Sequence, residues 1–147
     1  MAVAGGVIAS YRGGCHCGAI GFVFETGLAP QRWTVRVCQC VFCRAHGART
    51  TSDPAGRAHF VFANASLCNR YRFGQRTADF LVCARCGVYI AALMGDGDDA
   101  FATLNVNSIV ALTQNLPDAT AIDYGDESPT SRLARRRQIW TPVIERM

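Results

Sequence analysis

Residues 13–25 read Gly13-Gly14-Cys15-His16-Cys17-Gly18-Ala19-Ile20-Gly21-Phe22-Val23-Phe24-Glu25. The second half alternates. Ile20, Phe22 and Phe24 share one face of a strand from Ala19 to Glu25, at the period of two that a half-buried strand requires. The first half holds two cysteines one residue apart, set between glycines. Cys-x-Cys offers two thiols from one short bend, and Gly13-Gly14 and Gly18 let the backbone fold around an ion. A strand leaving a metal-binding turn points to a β protein.

The alternation continues outward. Trp33, Val35 and Val37 run on one face up to Cys38. Phe60 with Phe62, Tyr71 with Phe73, and Phe80 with Val82 repeat it, and Val88 to Leu93 and Phe101 to Val106 are short apolar runs. Gly13-Gly14, Asp53-Pro54, Gly74-Gln75 and Gly95-Asp96-Gly97-Asp98 read as turns. Two helical signals stand out. One is a turn or two after Cys43. The other is Pro129 to Trp140, with Leu133, Arg137 and Trp140 on one stripe. The fold class is therefore mainly β, with many short strands and few short helices.

Eight cysteines fall at 15, 17, 38, 40, 43, 68, 83 and 86. Disulfides within Cys-x-Cys and Cys-x-x-Cys would close tiny loops and constrain little. A metal, by contrast, takes two ligands from each such turn. Cys38, Cys40 and Cys43 span six residues and close on one ion by themselves. Cys15, Cys17, Cys83 and Cys86 then make a set of four. Four thiolates saturate zinc, which suits a structural site; three leave a position open, as in a catalytic one. The expectation is two zinc ions per chain. A competing grouping joins Cys40 and Cys43 to Cys83 and Cys86 as a zinc ribbon, leaving Cys15, Cys17 and Cys38 unexplained. Cys68 reads as a small core hydrophobe.

With 147 residues, half of them hydrophobic and 18% charged, the chain suits one domain over residues 1–147 and is no disordered polymer. No apolar run approaches the roughly 18 residues of a membrane span. Met1 to Tyr11 lacks the basic flank of a secretory leader. All 15 basic residues are Arg, so a side-chain amine is excluded as a Schiff-base nucleophile. The arginines are scattered, apart from Arg132, Arg135, Arg136 and Arg137, so a nucleic-acid partner is not expected and that cluster reads as a solvated face. Two zinc ions and seven thiolates would bring the formal charge of +4 to about +1. Reduced thiolates imply a reducing compartment, hence the cytoplasm.

Three stretches in order carry a resemblance. Gly13-Gly14-Cys15-His16-Cys17-Gly18-Ala19-Ile20, then Cys38-Gln39-Cys40-Val41-Phe42-Cys43-Arg44 with Gly47, then Cys83-Ala84-Arg85-Cys86-Gly87 resemble the motifs of the glutathione-dependent formaldehyde-activating enzyme family. That family also includes domains like centromere protein V. The resemblance implies several small coiled antiparallel sheets around a structural zinc, a fold similar to methionine-R-sulfoxide reductases. It assigns the structural zinc to Cys15, Cys17, Cys83 and Cys86, and the catalytic zinc to Cys38, Cys40 and Cys43. It implies a carbon–sulfur lyase that joins glutathione and formaldehyde as S-(hydroxymethyl)glutathione. In one departure, many relatives carry Leu-Asp where this chain has Leu104-Asn105.

Three thiolates give the open zinc site a net charge of −1, which weakens it as a Lewis acid. Binding an incoming thiol as thiolate is therefore expected over polarising an aldehyde. His46, three residues after Cys43, is a candidate ligand or acid–base group against a plain solvent-facing histidine; His16 should point away from the ion. Arg44 and Arg85 are candidates for a peptide thiol's carboxylates or for charge balance. A reductase role is excluded, because no Arg-x-Cys-x-Asn occurs and no Cys follows Cys86. The alternative is a non-enzymatic zinc module for protein or nucleic-acid interaction, which has no need of a three-ligand ion. Nothing in the sequence sets an oligomeric state.

Overall fold

The structure is a computed structural model, which describes residues 8–109, 112 and 116–145. Residues 1–7, part of the stretch read against a leader, lie outside them. The strands are β1 (Ala9–Gly14), β2 (Ile20–Thr26), β3 (Arg36–Cys38), β4 (Thr50–Thr51), β5 (Arg57–Phe62), β6 (Cys68–Tyr71), β7 (Asp79–Cys83), β8 (Tyr89–Asp96), β9 (Asp99–Asn105), β10 (Thr120–Ile122) and β11 (Thr141–Glu145). Two α-helices accompany them, α1 (Val41–His46) and α2 (Pro129–Ile139). The mainly β expectation holds.

The alternating stretch at 19–25 forms β2, between β1 and β5 and antiparallel to both. A second group is antiparallel along β6-β7-β8-β9. One edge of β9 pairs with β8; its other edge pairs with β4 and β11. β11 also runs parallel to β5, with Val143 opposite Ala58, and so joins the small sheets into one open network. The core unites both groups. Ile20, Phe22, Phe24, Phe60, Leu81, Ile90 and Leu104 lie in one cluster, none more than 4% exposed. Each such side chain contributes about 1.5–3 kcal/mol by burial.

Two sequence expectations change. Gly13-Gly14 is the end of β1 rather than a turn. Gly13 faces Phe22 across the ladder, and a Cβ there would meet that ring at 2.2 Å. The glycine makes room for the ring instead of bending around an ion. The strand expected from Trp33 shrinks to Arg36–Cys38, because Pro30–Arg32 form a 3-10 turn just before it. Trp33 and Val35 are buried all the same.

The two helices are placed by local chemistry. Ser128 caps α2 by accepting from the Ser131 amide, with Pro129 at its first position. Leu133 and Trp140 then pack with Ala92, Met94 and Phe101 of β8 and β9. Cys40 caps α1, and Gly47 ends it in the left-handed region at φ 59°.

Candidate functional site

Cys15 and Cys17 lie in the β1–β2 connection, Cys83 and Cys86 in the β7–β8 connection. In each turn backbone amides aim at sulfur. Ile20 N donates to Cys15 Sγ, and Arg85 N and Cys86 N donate to Cys83 Sγ, each at 3.4 Å. Gly18 and Gly87 sit at φ 85° and 80°, so each turn needs a glycine at that point. The sulfurs of Cys15 and Cys17 are 3.8 Å apart, and those of Cys17 and Cys83 3.6 Å. A zinc ion with Zn–S of about 2.3 Å requires tetrahedron edges of about 3.8 Å, so the set fits that ion. Cys83 and Cys86, stabilised as thiolates, have pKa values below the ordinary thiol range, with Cys86 at about 6.

Cys38 ends β3, Cys40 caps α1 and Cys43 lies in its first turn. Cys43 N donates to Cys40 Sγ at 3.4 Å. Their three sulfurs lie within 4.8 Å of one another, so this set too can hold an ion. The thiol of Cys43 and the backbone amide at Cys40 bring Cys38 down to about 6, while Cys43 is pushed up by Cys38 and by burial. The clusters found are this triplet and the four at 15, 17, 83 and 86; the ribbon grouping of Cys40 and Cys43 with Cys83 and Cys86 does not form. Cys68 is half-buried against the core, opposite Cys83 on β6.

The triplet lines a cavity of about 380 Å³ to which the four-cysteine set contributes nothing. Its apolar wall comes from Phe73, Phe80, Tyr89 and Trp140, its polar wall from Arg36, Arg132, Arg135 and Arg136. Tyr89 is fully buried, and burial beside Cys43, Cys38 and Cys40 pushes its phenol well above the ordinary range. Asn105 steadies this residue: its Nδ2 donates to the Tyr89 carbonyl at 2.9 Å, which a carboxylate at 105 could not do. Asn107 Nδ2 donates to the carbonyl of Gly47, so the same turn ties down the end of α1. The departure from Leu-Asp therefore leaves a residue that holds the Tyr89 backbone beside the triplet.

The helper candidates fall outside this cavity. His46 is exposed and lies tilted against Phe42, with ring centres 4.5 Å apart, outside the ligand cluster. His16, Arg44 and Arg85 are exposed. The solvated-face reading of the arginine cluster is corrected. Arg136 is 7% exposed, and Arg132 and Arg135 are half-buried, bound to Glu127 in the chain just before α2. Arg137 alone stays exposed, paired with Asp96 and Asp99.

A sequence profile described as glutathione-dependent formaldehyde-activating enzyme matches residues 10–124, spanning all three cysteine motifs. The chain belongs to this family. It is also similar to the crystal structure of a Rhodobacter sphaeroides protein, at 28% identity and a TM-score of 0.56, covering 76% of this chain and 99% of that one. Within the family's span lie both cysteine clusters and Tyr89; α2 and its arginines lie beyond it. No helix among the described residues is long and apolar enough to cross a membrane.

Proposed function

We propose that the chain is a zinc-dependent carbon–sulfur lyase, joining glutathione to formaldehyde as S-(hydroxymethyl)glutathione and cleaving it in reverse. One observation carries the reading: three thiols, a set short of zinc's four, meet on the wall of a cavity lined by aromatic side chains and arginines. Cys15, Cys17, Cys83 and Cys86 are the structural site, stapling the β1–β2 and β7–β8 turns. Cys38, Cys40 and Cys43 are the catalytic site. A zinc ion there supplies stabilisation of a substrate thiolate at its remaining position.

In the forward direction the thiol sulfur bonds to the carbonyl carbon. The π pair of the carbonyl moves to its oxygen, and the proton given up by the thiol ends on that oxygen. Tyr89 remains protonated because its burial disfavours the phenolate, so it serves as a donor to that oxygen rather than as a base. Phe73, Phe80 and Trp140 give the adduct an apolar wall. Seven ligands that must stay reduced support a reducing compartment, the cytoplasm, as its location.

The adduct also forms without catalysis, so the test is a rate. Exchange of labelled formaldehyde between its hydrate and the glutathione adduct, followed by NMR, should accelerate with zinc-loaded protein. Cys40→Ser should abolish the acceleration, and Tyr89→Phe should reduce it roughly a hundredfold. Exchange at the buffer rate with fully loaded wild type would refute the reading.

A further inference from the structure

Four arginines line the cavity, and they are not alike. Arg132 and Arg135 share one carboxylate, that of Glu127, with Arg135 bidentate at 2.6 and 3.0 Å. Arg36 and Arg136 are each 7% exposed, and neither has a carboxylate partner among the described residues. Arg36 Nη2 donates to Ser52 Oγ at 2.6 Å, and Ser52 donates onward to the Ile139 carbonyl. Arg136 Nη1 donates to Thr77 Oγ1 at 2.8 Å; its buried Nε has no partner. The guanidinium is held over Trp140, 4.7 Å from the ring centre. Both side chains are thus fixed in place with donors to spare.

A buried guanidinium without an anion is expensive, and such groups persist where an anion completes them. The cysteine triplet accounts for only part of the charge. Three thiolates around a divalent ion carry one net negative charge, against two unpaired guanidiniums. Asp123 lines the same cavity but is exposed, accepts from Gly125 N, and lies beyond ion-pair distance of either arginine.

We infer that Arg36 and Arg136 form a carboxylate-binding subsite, so that the cavity selects thiols that carry a carboxylate on the same molecule. The planar guanidinium matches a carboxylate in shape as well as charge. The inference rests on the thiol-binding reading of the triplet, and adds to it a selecting element on α2, outside the span shared with the family.

The test compares two thiols of nearly equal size, 3-mercaptopropionate and 3-mercaptopropionamide, by calorimetric titration into zinc-loaded protein. The acid should bind roughly tenfold tighter or more, as expected for charge-assisted hydrogen bonds in a buried site. Arg136→Gln and Arg36→Gln should each erase most of that preference while zinc content stays unchanged. Equal affinity of acid and amide for the wild type overturns the subsite, whether or not the variants fold. Failure of either thiol to bind at millimolar concentration overturns it too. A preference for the acid without accelerated formaldehyde exchange would leave the subsite standing and remove the lyase; acceleration without preference would do the reverse.

Discussion

The thiol of Cys17 lies 3.6 Å from that of Cys83, although 66 residues separate them in the chain. An ion held by both turns closes a long loop and contributes folding free energy directly. Cys83→Ser should therefore remove a large part of a total stability of about 5–15 kcal/mol. Cys40→Ser leaves that staple intact and should keep a cooperative melt close to wild type. Thermal unfolding by circular dichroism checks both, and the opposite order would exchange the roles of the two sites.

Metal analysis of reduced protein should approach two zinc ions per chain. On titration with a chelator, the triplet should empty first, because three ligands hold an ion less firmly than four and the cavity admits competitor. Freed Cys40 and Cys43 can then pair as a disulfide. Mass spectrometry of trapped thiols reads the order. Labelling of Cys83 and Cys86 ahead of Cys40 and Cys43 would contradict it.

Gly13→Ala should destabilise the fold by about 1–3 kcal/mol, since the added methyl collides with the Phe22 ring inside a packed core. Urea unfolding measures it. A double variant, Gly13→Ala with Phe22→Leu, should recover part of the loss, because the obstacle is that ring and not the backbone.

Glu127 holds Arg135 and Arg132, and they in turn hold its carboxyl below the usual value of 4.5, Arg135 most. A lowered carboxylate pKa gives stability that is complete above the unfolded value and lost as pH falls through the folded one. The stability gap between wild type and Glu127→Gln should be about 1 kcal/mol at neutral pH, for a partly buried pair of charged contacts. It should stay level down to about pH 5 and close below 4.5. Urea melts of both proteins across that range provide the comparison.

The cysteine motifs were legible because each sits in one short turn, where spacing sets what its own sulfurs can reach; the meeting of the 15/17 and 83/86 turns is a tertiary contact. The β2 alternation was legible for the same local reason. The cavity was not, since its walls come from β3, β8, α2 and the chain around Tyr124, brought together only by tertiary packing. The α2 stripe shows how narrow the margin was. Taken as Leu133, Arg137 and Trp140, it steps by four and then three; the structure takes three and then four, burying Arg136 in place of Arg137. Both steps obey helical geometry; Arg136 turns inward to Thr77 and Trp140, and Arg137 outward to Asp96 and Asp99 on the neighbouring hairpin, contacts set by tertiary packing. Gly13 was read for its freedom to turn, when its use is the absence of a side chain beneath Phe22.

β11 fills the seam between β5 and β9, yet among the described strands it is the last to leave the ribosome. Until it emerges, the nascent chain has two bare strand edges that invite pairing with another molecule. Cys15, Cys17, Cys83 and Cys86 have all been synthesised well before then. Metal capture by Cys15, Cys17, Cys83 and Cys86 can therefore hold the two halves in register while they wait for the closing strand. Where zinc fills that set, its supply during translation should raise the fraction of chains that escapes aggregation.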